Sequence, residues 1–591
     1  MPAVERYEFG DFMLERSQQR VRRRDGSALA LTPRLFSALL LFVERADQLL
    51  DRDTLMSALW PDLVVEENNL SQVVSGLRRA LGDDGQSRHF IETVARRGFR
   101  FVAPVTAWPD DRSARDATVT LAVLPFVPLM REGRDESLEL GMADSLIARL
   151  STVPGLVVRS VGSLRRFVGP DQDPLAAAHA LDVAWIVDGS LQRSGERLRV
   201  TARLLCAADG TAAWSGQFDE RFGGVFEMQD LISARVAGVL APELKRLNGR
   251  DTHVAAAPTE AGGSRDPDAY QLYLAARQHA QGVRADGLAR SIGLFEQALA
   301  IDPNYALACA GQAETYRRML FGADRAPAEV FAPYQRVVRR ALALAPDLAE
   351  AHAQLGWIHF WHDFDWPEAE RVFRRAIALN PNVVGARFGL GLLLLTLGRR
   401  EEGVDLVRLA RELDPMSLII NTMEASFLLD MGRRAEAAVR LERALQIEPN
   451  FWVAHMSRAA FLLADGDPGA AIEALERADA LAQQSTQAGA LLGVHLARAG
   501  RQDEARAVLA RLQGLAATRY VPPTSLAAVQ AALGEAGAAL DSLERAFELR
   551  DTRLAYMKDD LRWAGLRQQP RFVALLRRMK LDSYVPGVSG P

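Results

Sequence analysis

From Asn68 to Leu81 the chain carries amides, small hydroxyls and two arginines, and no carboxylate. An ordinary surface helix would mix acidic and basic residues. Asn and Gln side chains can pair bidentately with adenine, and Arg pairs with guanine or phosphate. Ser and Gly allow close approach to a groove. Further on, Arg96-Arg97-Gly98 has the form of a hairpin turn, and its arginines would project toward a phosphate or a neighbouring minor groove. This is chemistry for holding a nucleic-acid duplex. A solvated amphipathic helix followed by a basic turn has the same composition, and the residues alone leave that alternative open.

The elements that must position these groups are also legible. Leu70, Val74, Leu77 and Leu81 fall at 4-3-4 spacing, which places all four on one side of a helix. At about 100° per residue the opposite side carries Asn68, Gln72, Ser75, Gly76 and Arg79, with Asn69 and Arg78 on the flanks. The helix starts at 67–69, and Gly82-Asp83-Asp84 marks its stop. Strands are expected near 90–94 and 99–102. Upstream, the alternation of Tyr7, Phe9, Phe12 and Leu14 suggests a short antiparallel sheet, with a turn at Gly26 and Ser27. Thr32-Pro33 opens a helix as N-cap and first-turn proline, with Leu35, Phe36, Leu39, Leu40 and Val43 as core. A second short helix is expected at 53–60. Strands, three helices and a terminal hairpin make a winged helix.

LSQVVSGLRRALGDD followed by IETVARRGFRF resembles the C-terminal effector domain of the OmpR/PhoB family of winged-helix regulators. More narrowly it is similar to the CadC/ToxR-like group, in which that domain stands first. The resemblance covers roughly residues 5 to 103. It implies DNA contact by Asn68, Asn69, Gln72, Ser75 and Arg78 of the helix, and by Thr93, Arg96 and Arg97 of the wing. Many relatives carry Gly at the place of Arg96 and Tyr at that of Phe99, so this wing is the more basic.

Composition is that of a globular chain of several domains: 591 residues, 49% hydrophobic, 25% charged, net charge −4. Within residues 1–105 fifteen Arg face fifteen Asp plus Glu, so affinity for DNA must come from local clustering. Cys206 and Cys309 form no CxxC pair or disulfide framework, and a reducing compartment is the simplest setting. The N-terminus reads as lacking a signal segment, and no apolar run approaches the ~18 residues of a membrane span. Regulators of the CadC type often carry a membrane helix after the winged helix. Here polar residues 106–117 stand in that place, so a cytoplasmic protein without a membrane partner is expected.

The fold class expected is multidomain and mainly α. A winged helix (1–104, α+β) precedes a linker (105–117), an α/β domain (118–245) and a flexible Ala/Gly/Pro-rich linker (246–266). LAVLPF, the DGS at 188–190 and ADGTAAWS resemble the N-terminal domain of TolB-like proteins, which implies fold more than activity. Beyond residue 267, Gly398, Gly432, Gly466, Gly500 and Gly534 recur every 34 residues. So do Gly391, Ala425, Ala459, Gly493 and Ala527, and Gly403, Ala437, Ala471, Ala505 and Ala539. Paired helices at this period resemble the tetratricopeptide repeat. About eight repeats are expected across 268–551, the 304–346 unit carrying an insertion. A closing helix at 562–579 completes an α-solenoid spanning 267–581.

No P-loop, dinucleotide fingerprint, zinc spacing, nucleophile elbow or kinase signature occurs, so no catalytic, cofactor or metal residues are expected. His352, His359, His362, Asp363 and Asp365 cluster among Trp357, Phe360, Trp361 and Trp366. Packing is the expected reading there, with a metal or a ligand pocket as alternatives. No receiver domain is expected before the winged helix, so the input is expected to come through residues 118–580. The expectation is a one-component, sequence-specific transcriptional regulator, not an enzyme. Its partners would be double-stranded DNA, RNA polymerase, further copies of itself on DNA, and a protein partner or small ligand on the repeat array. The alternative is a repeat scaffold whose winged helix docks protein instead of DNA.

Overall fold

The computed structural model describes residues 4–581 except 17–19, 24–27, 30, 60–66, 84–89, 95–96, 110–118, 129–135, 154, 168–171, 195–196, 222–224, 249–261, 265, 281–284, 323 and 483–484. The chain divides into two compact units, Met1–Thr118 and Val119–Pro591.

Among the described residues the first unit is built on two small antiparallel sheets and three helices. Strands β1 (Val4–Phe9), β2 (Phe12–Glu15), β3 (Arg20–Arg23) and β4 (Ala28–Leu29) run before helix α1 (Pro33–Glu44). Thr32 caps α1, its hydroxyl accepting from Leu35 N, with proline at the first turn as the sequence predicted. Then follow β5 (Leu49–Leu50), α2 (Arg52–Leu59), α3 (Glu67–Leu81) and the hairpin β6 (Ile91–Val94) and β7 (Gly98–Phe101). The expected linker from residue 105 is corrected here. Thr106–Pro109 is a strand, β8, that pairs β1 (Tyr7 opposite Ala107, Glu8 opposite Thr106), giving sheet order β4-β3-β2-β1-β8. Phe9, Phe12, Leu39, Phe42, Leu55, Leu70, Leu77 and Phe101 share one core, and Phe9 meets Phe101 edge-to-face at 5.3 Å.

In the second unit a mixed sheet of order β11-β9-β12-β13-β14 comprises β9 (Val119–Val123), β11 (Leu156–Val158), β12 (Trp185–Ser194), β13 (Arg197–Cys206) and β14 (Ala212–Arg221). A short β10 (Val127–Pro128) also pairs β12. β9 runs parallel to β11 and β12, while β12, β13 and β14 are antiparallel. The stretch 119–128 thus forms two short strands, separated by residues 124–126. Helices α4 (Glu136–Leu150), α5 (Pro174–Leu181) and α6 (Val225–Asn248) complete this α/β part.

Eight antiparallel helix pairs follow among the described residues. The first four are Pro267–Ala280 with Ala285–Ile301, Ala306–Gly322 with Pro327–Leu344, Ala349–Ile358 with Trp366–Leu379, and Val384–Thr396 with Arg400–Leu413. The last four are Leu418–Asp430 with Arg434–Ile447, Trp452–Ala464 with Pro468–Leu481, Gln487–Arg498 with Gln502–Ala516, and Pro523–Ala532 with Ala536–Glu548. These are α7 to α22 in chain order. The 34-residue glycines sit at the bend of each later pair with φ between +75° and +86°, a region where a side chain is strained. The small-residue columns lie between the paired helices. A Cβ on Gly391 would come within 2.9 Å of Gly403 O, so the backbones there are in contact.

Two irregularities in the period have physical causes. Pro346 and Pro381 stand 35 residues apart against 34 for Pro381 and Pro415. The extra residue is taken up where α11 ends in a π turn at His359–Asp363. The second pair is longer because both its helices are extended, to 17 and 18 residues. The expected closing helix over 562–579 is corrected as well: a 3-10 turn at Leu561–Leu566 precedes a shorter α23, Pro570–Arg578.

The α/β part and the repeats, expected as domains on a flexible linker, share one hydrophobic core. Val119, Leu146, Val187 and Leu240 join Tyr270, Leu274, Phe295 and Leu348. Polar ties reinforce it. Tyr270 donates to Gly141 O (3.0 Å), Arg277 pairs with Asp144, and the Asn382 amide bridges Ser151 O (2.8 Å), Leu156 O and Val158 N. Buried Arg159 donates to Leu181 O, Asp182 O and Glu412 O. The far end of the expected linker is docked too, Gly262 O accepting from Leu307 N at 2.8 Å.

The aromatic and histidine cluster is packing. Trp357, Trp361, Trp366 and Phe360 are fully buried against the closing segment of the chain. His359 and His362 both hydrogen-bond Asp363 at 2.8 Å, His352 bonds Pro346 O, and Asp365 caps α12. Those imidazoles hold the Asp363 carboxyl well below the usual carboxylate range, against the burial that raises it.

Candidate nucleic-acid interface

Helix α3 is fixed by its apolar side. Leu70, Val73, Val74, Leu77 and Leu81 are buried in the first unit's core. The opposite side is left to solvent: Gln72, Ser75 and Arg79 are exposed and Asn69 is half-buried. Asn68 lies on the helix, but its side chain is outside the described residues. Ser71 is exposed beside Gln72 and joins this surface, which sequence reasoning passed over. Gly76 does not belong to the outward face as helical spacing suggested. A Cβ there would meet Leu35 Cδ2 at 3.1 Å, so its missing side chain lets α1 and α3 approach.

Arg78 is engaged within the domain. Expected at a phosphate, its guanidinium Nη2 donates to Ile91 O (2.8 Å) and Thr93 Oγ1 (2.7 Å), and Nε donates to Ile91 O. The structure thus brings two predicted contact residues, Arg78 and Thr93, to each other. They join the reading helix to the first wing strand. Asp83, read from the sequence only as part of a stop, makes the second joint: its buried carboxylate accepts from Ile91 N (3.0 Å) and Phe90 N. A hydrophobic-period argument has no signal for either contact.

The wing pairs Glu92 with Arg100 and Thr93 with Phe99, and β7 also pairs β5. Arg100 is neutralised by Glu92 across the hairpin, Nη2 to Oε2 at 2.8 Å. Gly98 closes the turn at φ +142°, and a Cβ there would lie 2.0 Å from Leu50 O. Arg97 is exposed at the base of the turn, whereas Ala95 and Arg96 lie outside the described residues. With Arg78 and Arg100 committed internally, Arg79 and Arg97 are the exposed cations of α3 and the wing among the described residues.

Replacing Arg78 with alanine is therefore expected to act through position. Loss of charge-assisted hydrogen bonds should lower the first unit's stability by about 1.5–3 kcal/mol. Arg78→Lys, which keeps the charge but not the fork, should lose nearly as much. Calorimetric unfolding reads both, and a lysine variant with parental stability would return Arg78 to a simple cationic role.

Comparisons with known proteins bear on both ends of the chain. Residues 26–101 match the family "Transcriptional regulatory protein, C terminal", and 365–416 and 422–488 match "Tetratricopeptide repeat". The N-terminal domain is an OmpR/PhoB-type winged helix, and the C-terminal array is built of tetratricopeptide repeats. A putative adenylate cyclase 3 of Rhizobium meliloti is 26% identical over 192 residues, 32% of this chain and 32% of that one. The transcriptional regulator HilA of Salmonella typhimurium is 27% identical over 163 residues, 27% of this chain and 29% of that one. The chain thus spans about a third of these relatives' length. Among solved structures, the DNA-binding domain of E. coli CadC is 29% identical, covering 18% of this chain and 100% of that one, with a TM-score of 0.17. No helix among the described residues is long and apolar enough to cross a membrane.

Proposed function

We propose that the chain is a sequence-specific transcriptional regulator that lays α3 in a major groove of double-stranded DNA. Gln72, Ser75 and Asn69, with Asn68, read base edges. Arg79 and the wing arginines Arg97 and Arg96 hold phosphates or an adjacent minor groove. One observation carries the reading: from Asn68 to Leu81 α3 carries no carboxylate, while its apolar side is consumed by the core.

Such a domain makes few phosphate contacts, so copies pair on DNA, with RNA polymerase as the complex they serve. The protein acts as a one-component cytoplasmic regulator, receiving a protein partner or small ligand through its TolB-like part and its repeats. A docking module for protein would leave Gln72 and Arg79 without a nucleic-acid role.

The test is titration of the full chain against an operator selected from its genome. Gln72→Ala should change base preference at one position by roughly 1–3 kcal/mol. Arg79→Ala should weaken binding at every sequence and reduce the slope of log affinity against log salt by about 1. Parental binding by both variants would overturn the assignment, and affinity indifferent to salt would favour the scaffold alternative.

A further inference from the structure

Between α14 and α16, over the floor of α15, lies a cleft of about 150 Å³. Four arginines line it: Arg408 and Arg411 from α14, Arg433 at the start of α16, and Arg440 one face along. Its acids are three, Asp405, Glu424 and Glu436, so the lining carries four positive charges against three negative, net +1. Each acid has its own arginine. Arg408 pairs with Asp405 at 3.0 Å, Arg411 with the buried Glu424 at 2.5 Å, and Arg433 with Glu436 at 2.8 Å. Among the described residues Arg440 alone of the four takes part in no hydrogen bond or ion pair.

Its surroundings make that single cation costly. Burial, then the neighbouring Arg411, and more weakly Arg443, disfavour the Arg440 charge, while Glu424 and Glu436 favour it. Burial also pushes the Glu424 carboxyl up in spite of Arg411, which weakens that counter-charge. A guanidinium fork left over in a concave, partly desolvated site matches the geometry of an oxyanion.

The groove one can compare it with is different. Gln312 stands nine residues after Pro303 as Glu424 stands nine after Pro415, and it floors a wider cleft of about 300 Å³. There Arg336 and Arg340 are exposed, and water screens their charge.

We infer that the cleft between α14 and α16 is a seat for one small tetrahedral oxyanion, inorganic phosphate or the phosphate end of a small metabolite, held by Arg440. Its volume admits a phosphate group but is half the lower bound of pockets that enclose a whole drug-sized ligand. Any organic part must therefore extend through the mouth, past exposed Val439. The inference concerns the repeat array alone and stands whether or not the N-terminal domain binds DNA.

The experiment is calorimetric titration of the full chain with inorganic phosphate and, separately, glycerol 3-phosphate, at ionic strength held constant with chloride. Saturable binding of one anion per chain is expected. Phosphate bound as well as the ester identifies the free ion, and binding of the ester alone identifies a metabolite. Arg440→Ala should weaken binding at least tenfold. Arg434→Ala, which removes an exposed arginine of the same helix paired with Asp465, should leave it unchanged. Glu436→Gln raises the net charge to +2 and should tighten binding several-fold, which a packing role for these side chains does not predict. Absence of saturable binding of either anion, or parental affinity in a folded Arg440→Ala, overturns the proposal.

Discussion

Gly98→Ala is expected to abolish the wing and, with it, most affinity for duplex DNA. Two costs add at this residue. The backbone φ of +142° lies in a region that L side chains rarely adopt, at a cost of about 1–3 kcal/mol. The new methyl would also sit 2.0 Å from Leu50 O and 2.9 Å from Asp51 Cα, so β5 must separate from β7. Overpacking of this kind costs a further ~1–3 kcal/mol. A loss of roughly 2–6 kcal/mol is a large fraction of what a domain of about a hundred residues has to lose. Gly82→Ala is the control. Gly82 also has positive φ, +73°, at the end of α3, but nothing lies within 4 Å of its Cβ position. It should cost only about 1 kcal/mol. Thermal unfolding and operator titration of both variants decide the matter: equal effects would mean that backbone strain acts alone and that β5 does not clamp the wing.

What could be read in advance follows the range of the interactions. The buried side of α3 is set by residues three and four apart, so Leu70, Val74, Leu77 and Leu81 announce it without any knowledge of the partner surface. The repeat array is legible for a related reason, since each glycine bend is paid for by local backbone geometry that recurs every 34 residues. The middle α/β part was legible as α/β but not in its attachment. Asn382 and Arg159 reach across more than 200 residues of chain, and no local pattern marks them.

The same limit explains Arg78. Helical spacing gives a residue's direction from the axis, not the reach of a long side chain to a strand thirteen residues away. It also explains Gly76, where the approach of Leu35 from α1 turns an apparent outward position into a contact. Strand β8 escaped because the short stretch Thr106-Ala107-Trp108-Pro109 has no alternating pattern of its own and becomes a strand only by pairing with β1, a hundred residues earlier.

Trp366→Ala is expected to release the closing segment from the repeat array. Trp366 begins α12 and is fully buried, its ring near Phe360 (6.0 Å, edge-to-face) and Phe364 (5.7 Å). Its Nε1 donates to Met579 O at 2.8 Å, across 213 residues of sequence. The eighth pair and the closing segment return to the second and third pairs at several points. Trp361 Nε1 donates to Tyr556 OH at 2.9 Å, Phe364 stacks on Phe547, and Arg553 pairs with Asp324 of the second pair's bend at 3.0 Å. Truncating a buried tryptophan costs about 3–5 kcal/mol, and Met579 O is left without its donor. Because an array of repeats stabilises itself through neighbouring contacts, a loss at a long-range contact should separate the unfolding of its end from the rest. Trp366→Phe keeps an aromatic ring and removes the indole N–H, so it should cost much less, about 1–2 kcal/mol. Hydrogen exchange of the full chain reads the difference. In the alanine variant, amides of 552–578 should lose protection at denaturant concentrations where α13 to α18 keep theirs. Protection of that segment at the parental level would mean that the remaining aromatic and ionic contacts close the array without Trp366.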